Sequence, residues 1–408
     1  MTTISGLSGN EVYCLHRQGL TPGELVIGNS VISLGLIGSV GAGLKTLAGG
    51  EVRGVTAVIH DGRKRAIERL HEEARHNGGY GVTGVSSELI FHGTNIEFLA
   101  VGSCVRQNAE PSRTPEFSSA CDGQALYCLQ DAGFTPKHFV FGNVAYSIGL
   151  GGGFIGMLRS LGRGEVVEFS EIFNRTRHLA LERIREEAKH AGANAVTGIR
   201  TSILPLAGMQ EMVMTGTAST HPALPASAHD MPITSDLTHE EMWSLANQGY
   251  MPVQLVLGVS VYSLGLIGGI SAFFKSFARG EISELTSLIY AARERALLRI
   301  GEDARDAGAD QVLGVKTYVY NLGGGIIEFL AIGTAVRKMP GAHTLGDTLP
   351  PQAIIRDQDT FINTADTSSA YSLGQPTNAR GSVGLFIGMG LALVAFAIFI
   401  VKILVIFH

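Results

Sequence analysis

A chain that repeats itself at a fixed interval folds as copies of one unit, and this chain does so three times. GLTPGELVIGNSVISLGLIG begins at Gly19, GFTPKHFVFGNVAYSIGLGG at Gly133 and GYMPVQLVLGVSVYSLGLIG at Gly249. Pro22, Pro136 and Pro252 correspond, as do Gly28, Gly142 and Gly258. Further along, EEARHNGGYGVTGV, EEAKHAGANAVTGI and EDARDAGADQVLGV carry Gly78, Gly192 and Gly308, at the same offsets of 114 and 116 residues. Two distant landmarks that keep one offset in every copy establish an internal repeat.

One unit can be read in its third copy. A short amphipathic helix runs from Glu240 to Asn247 and is stopped by Gly249. A Val- and Tyr-rich strand follows from Leu255 to Leu266, then a short apolar helix, ISAFFKSFA. A Gly-Glu step opens a long helix from Glu281 to Ala307, whose Ile282, Leu285, Ile289, Ala292, Ala296 and Ile300 recur on one face. Gly308 stands where a left-handed C-cap is wanted. Two strands close the unit, Val312 to Tyr320 and Ile326 to Arg337, joined through NLGGG. The expected class is α+β: three tandem β-α-β-β modules, each with a leading short helix. The expected boundaries are 1–107, 120–219 and 236–338. One helix over a small sheet leaves a sheet face and two edges uncovered, so assembly is expected to cover them.

The connecting stretches 110–119 and 220–236 are rich in Pro, Ser, Thr and Ala and read as linkers. Residues 339–381 are polar, with Pro340, Pro350, Pro351 and Pro376, and read as a disordered stalk. An uncharged apolar run then opens at Val383 and closes at Val401. As a helix it would span roughly 30 Å, the thickness of a bilayer core. A transmembrane helix is therefore expected over 382–407, with Lys402 snorkelling to the far side and Gly384 and Gly388 spaced for helix–helix contact. The start, MTTISGLSGNEVYCLH, lacks the basic and apolar regions of a signal peptide. Four cysteines without a CxxC pair read as reduced thiols. The bulk of the chain is expected in the cytoplasm, held by a single-pass tail anchor in the cytoplasmic membrane.

GANAVTGI, GADQVLGV and the closing IIEFLAIGTAV resemble the YbjQ family, whose domain carries a heavy-metal-binding label. The GRGE and ARGE steps before the long helices are similar too. The resemblance covers the three repeats and implies a ring-forming module, since single-domain members assemble as pentamers. A five-membered ring cannot be completed by one three-repeat chain. The expectation is a homopentamer with each repeat in its own ring, five chains making three stacked rings.

Chemistry is sparse. A metal site needs several converging ligands. The candidates are His76 and His190, with Asp306 at the same position in the third copy, and Cys104, replaced by Ala218 and Ala335. No dedicated metal site and no cofactor are expected, a bound metal ion being the alternative that the family label implies. Gly151-Gly152-Gly153-Phe154-Ile155-Gly156 matches GxGxxG, but the helix after it is too short for a dinucleotide site. Lys45, Arg159 and Lys275, with Arg163 and Arg279, recur at matching positions and could form a basic ring facing an anionic partner. Glu51, Glu165 and Glu281 follow them, as acids favoured at helix N-termini. A net charge of −5 without a Lys/Arg stripe argues against nucleic acid. No hydrolase, P-loop or metalloprotease motif is present, so no enzyme is expected. The expected function is a membrane-anchored oligomeric scaffold that docks a protein partner, such as a contractile injection apparatus. The alternative is a heavy-metal or small-ligand sensor.

Overall fold

The computed structural model describes residues 3–33, 35, 50–107, 115–147, 164–206, 209–263, 283–323, 326–349 and 361–363. The chain divides into two compact units, Met1–Ile362 and Asn363–His408. The fold described below belongs to the first.

Repeat 1 comprises α1 (Gly9–Arg17), β1 (Leu20–Ser33), β2 (Gly50–Glu51), α2 (Arg53–His76), β3 (Gly81–His92) and β4 (Asn95–Gln107). After the two-residue strand β5 (Phe117–Ser118), repeat 2 gives α3 (Gly123–Asp131), β6 (Thr135–Ser147), β7 (Gly164–Glu165), α4 (Val167–His190), β8 (Ala195–Leu206) and β9 (Met209–Thr220). After β10 (Ile233–Thr234), repeat 3 gives α5 (His239–Asn247), β11 (Tyr250–Ser263), α6 (Ser283–Asp306), β12 (Gln311–Gly323) and β13 (Ile326–Lys338). The expected module is thus present three times. The ISAFFKSFA helix lies outside the described residues, as do the basic positions around it.

The repeated landmarks have physical jobs. Each first strand is bulged next to its proline, at Pro22, Pro136 and Pro252, which is where a sheet tolerates a residue without an N–H. A Cβ on Gly28, Gly142 or Gly258 would lie 2.0, 2.3 or 2.2 Å from the carbonyl oxygen of Ala66, Ala180 or Ala296. The long helix therefore rests backbone-to-backbone on its own first strand. Gly78, Gly192 and Gly308 have φ of 64°, 68° and 65°, the left-handed ends expected of the long helices. The short helices are capped by Ser8 with Glu11, by Asp122, and by Thr238 with Glu241.

The sheets do not end where the repeats end. Their orders are β1-β4-β3-β5, then β10-β8-β9-β6-β2, and a third that contains β12-β13-β11-β7. β2 of repeat 1 adds antiparallel to β6 of repeat 2, and β7 of repeat 2 adds to β11 of repeat 3. β5 and β10, from the connecting stretches, add parallel to β3 and β8 of the repeat before them. Both edges of the middle sheet are thereby paired within the chain.

Two expectations need correcting. The connecting stretches are ordered staples over residues 115–119 and 220–236 rather than loose linkers. Their hydroxyls explain this: Ser118 Oγ accepts the Phe139 N–H at 3.0 Å, and Thr234 Oγ1 accepts the Leu255 N–H at 2.9 Å. The stretch read as a stalk also starts packed. The Leu345 N–H donates to the Asp131 carbonyl at 2.7 Å, and the Gly346 N–H donates to the Asp131 carboxylate at 3.1 Å. Met339, Ala342 and Leu349 pack on the cluster formed by Leu126, Leu129, Met242 and Trp243. The apolar surface of the stacked short helices, α3 between α1 and α5, supplies the reason.

Candidate functional site

The most elaborate chemistry in the molecule lies at the joins between repeats. The first two long helices, α2 and α4, each serve two sheets: the C-terminal half covers the helix's own sheet, and the N-terminal half covers the next. Val52, just before α2, and Val55 and Ile59 within it share a buried cluster with Phe139, Phe141 and Ala145 of β6. Val166, just before α4, and Phe169 and Phe173 within it share one with Leu255, Leu257 and Val261 of β11. Hydroxyls at one helix position bind the facing strand: the Ala145 N–H donates to Thr56 Oγ1 at 3.0 Å, and the Val261 N–H donates to Ser170 Oγ at 2.8 Å.

A buried ion pair lies beside this contact in both joins. Arg63 of α2 donates through Nε and Nη2 to Glu211 of β9, at 3.2 and 2.8 Å, with both side chains fully buried. Arg177 of α4 donates to both oxygens of Glu328 of β13, at 2.8 and 2.9 Å, again fully buried. Burial works against both charges. At Arg177 the Glu328 carboxylate and Tyr146 outweigh it and hold the guanidinium above its ordinary pKa. At Glu328 burial outweighs Arg177 and leaves the carboxyl above the usual range. The guanidinium of Arg177 also lies 4.4 Å from the Tyr146 ring centroid.

The third tie is ionic and half-exposed. Glu51 reaches Arg183 of the next repeat at 2.6 Å, and Glu165 reaches Arg299 at 3.0 Å. Two of the acids read as helix-start charges, Glu51 and Glu165, are therefore cross-links between repeats, and Glu281 lies outside the described residues. The two joins are built from equivalent residues, so the three repeats follow one another in a single series through sheet edges and helix faces.

The metal candidates do not converge. His76 and His190 are exposed at the ends of different helices. Cys104 is fully buried, its thiol pushed up to about 12 by desolvation, and its sulfur lies 3.9 Å from the Ala74 carbonyl oxygen. No group of three or more His, Cys, Asp or Glu among the described residues could hold a metal ion. These residues do not fit a heavy-metal site. Lys45, Arg159, Lys275, Arg163 and Arg279, the GxGxxG stretch 151–156, and Val383, Gly384, Gly388 and Val401 lie outside the described residues. No helix among the described residues is long and apolar enough to cross a membrane.

Sequence reasoning missed one constellation. Cys121 Sγ lies 3.3 Å from His239 Nε2, beside a cleft of roughly 590 Å³ lined also by Arg200, Asp236 and Lys316. Burial pushes the Cys121 thiol up to about 12 and His239 down to about 4, so the pair is neutral rather than an activated thiolate. The Arg–Glu pairs were missed too. The available signal was the recurrence of Arg63, Arg177 and Arg293, and of Glu97, Glu211 and Glu328, at matched positions. A lone acid in an apolar strand asks for a partner.

Known proteins are similar to this chain at two lengths. An encapsulin nanocompartment protein of Mycobacterium tuberculosis is 35% identical over 208 residues, 49% of this chain and 77% of that protein. UPF0145 proteins match over shorter lengths. That of Methanoregula boonei is 43% identical over 83 residues, 20% of this chain and 69% of its own. That of Sulfurisphaera tokodaii is 43% identical over 91 residues, 22% of this chain and 80% of its own. The family model described as "Putative heavy-metal-binding" matches residues 17–108, 135–221 and 247–339, and with all three repeats matched the chain belongs to the YbjQ family.

Proposed function

We propose that this chain is a membrane-tethered assembly scaffold. Its repeats join in series into a cytoplasmic platform, residues 382–407 fix that platform to the membrane as a tail anchor, and a large cytoplasmic protein complex docks on it. The observation that carries this reading is the doubled join, which buries an Arg–Glu pair and an apolar cluster each time. A module that makes the same contact twice in one chain is suited to making it again between chains. The mycobacterial relative bears the name of an assembly-forming protein, in keeping with this. Several tethers on one platform would raise avidity for a large symmetric partner.

Fractionation tests the tether. The full chain should stay in the membrane fraction through an alkaline carbonate wash, and protease should digest its bulk from the cytoplasmic side. A chain ending at residue 381 should be soluble, and partners recovered with the full chain should leave the membrane fraction. A full chain released by carbonate would overturn the tether.

A further inference from the structure

The two joins inside the chain leave two matching halves of a third. On repeat 1, β1 presents a face that its counterparts bury. Ile27 and Val31 are 47% and 58% exposed, whereas Phe141 and Ala145, and Leu257 and Val261, are at most 4% exposed. The acid of that face is Glu97, the counterpart of Glu211 and Glu328. It accepts from Asn29 Nδ2 at 3.0 Å and meets His92 Nε2 at 2.6 Å. On repeat 3, α6 presents the complementary face. Thr286 is exposed where Thr56 and Ser170 are buried, Tyr290 is 62% exposed, and Arg293 is exposed where Arg63 and Arg177 are fully buried.

Arg293 is already posed for the contact. Its guanidinium carbon lies 5.9 Å from the Phe329 ring centroid, and that of Arg63 lies 5.8 Å from the equivalent Phe98 ring. We infer that the open face of repeat 1 takes the open helix face of repeat 3 from a second copy of this chain, repeating the internal join. This rests on the assembly reading above and adds its surface, direction and residues. In the new join the Val31 N–H donates to Thr286 Oγ1, as Ala145 does to Thr56. Arg293 takes Glu97, and Ile289 comes to lie over Ile27 and Val31. The contact is head-to-tail, so it closes into a ring or extends as a filament. A closed ring of whole chains contains a multiple of three repeats.

The test uses the full chain in mild detergent, with mass read by multi-angle light scattering. The wild type should run at two or more chain masses. Arg293→Glu and Glu97→Arg should each reduce the mass to one chain, with an unchanged circular dichroism spectrum. An equimolar mixture of the two variants should regain at least two chain masses, because one end of each pairing is then restored. Thr286→Cys combined with Val31→Cys should give disulfide-linked multimers on oxidation, and neither single variant should. A monomeric wild type overturns both this join and the assembly part of the scaffold reading. A multimeric wild type whose mass neither charge reversal changes, with no cross-link, overturns the join alone and leaves the scaffold reading standing.

Discussion

The first strand of repeat 1 and the first strands of repeats 2 and 3 share one sequence pattern and have different surroundings. From Val26 to Val31 burial alternates, as in a sheet with one wet face. Over the matching residues of β6 and β11 both faces are buried throughout. The difference comes from the neighbour, because α2 and α4 lie over β6 and β11 and, among the described residues, no helix lies over the same face of β1. Yet β1 keeps Ile27 and Val31 on that face, where a strand meant for water would alternate to polar residues. The composition of an uncovered face thus reports the partner that it is built to receive.

The sharpest way to break this comparison is to remove the same arginine at a filled join and at the open end. Arg63→Ala or Arg177→Ala leaves a buried carboxylate without its partner. The expected loss is about 3–5 kcal/mol of unfolding free energy, read from the urea midpoint. Arg293→Ala should leave the midpoint of the separated chain unchanged. Equal losses at all three positions would show that the filled joins add nothing.

Acid should sharpen it next. His239 sits in the second join, with Nε2 3.2 Å from Thr197 Oγ1 and 3.3 Å from Cys121 Sγ, and its counterpart in repeat 2 is Gly123. Desolvation, with a smaller effect of Arg200, lowers its pKa from 6.5 to about 4. Above pH 6.5 the ring is neutral folded and unfolded, and contributes no pH dependence. As pH falls from 6.5 towards 4 only the unfolded chain takes the proton, so stability is lost, by roughly 3 kcal/mol at most. His239→Gln should flatten that part of the pH profile. His71, His138 and His221 are lowered in the same direction by burial and should leave a residual slope. An unchanged profile in His239→Gln would mean that the ring is protonated in the folded chain.

The strand–helix contact within each repeat supplies the control. Gly28→Ala, Gly142→Ala and Gly258→Ala each drive a methyl group into helix backbone, at an expected cost of about 1–3 kcal/mol. Because this contact lies inside a repeat, the three losses should be alike, unlike those of the arginines. A small loss at Gly28 alone would mean that the open face lets α2 move away.

These positions also mark what could be read before the fold was known. Gly28 and Gly78 recur with their proline, and a recurring glycine in an apolar segment has few physical meanings: close approach or a left-handed turn. The module, its order and the glycine ends of its long helices were legible for that reason. The joins were not, because periodicity assigns a residue to a face without saying whose helix covers it. Glu51 looked like a helix-start acid since its partner Arg183 lies 132 residues away in sequence. The connecting stretches looked loose because Ser and Thr are common in loops. In this chain their hydroxyls act at fixed positions as hydrogen-bond partners of the next repeat.

The smallest expected effect has the opposite sign and comes from the open end. Position 301 of α6 corresponds to Arg185 of α4 and His71 of α2. In repeat 2 this position serves the following staple, since Arg185 Nη2 donates to Thr234 Oγ1 of β10 at 3.2 Å. In repeat 1, His71 shares a small cavity with Phe117 and Ser118 of β5. In repeat 3 the residue is glycine, and a Cβ built on Gly301 meets nothing within 4 Å. An interior helical glycine without steric need costs about 0.5–1 kcal/mol relative to alanine. Gly301→Ala should therefore raise the stability of α6 by that amount, read as a higher urea midpoint and slower amide exchange along the helix. A loss instead would mean that the space beside Gly301 is filled in the assembled protein, and repeating the measurement on the separated Arg293→Glu chain would then turn the loss into the expected gain.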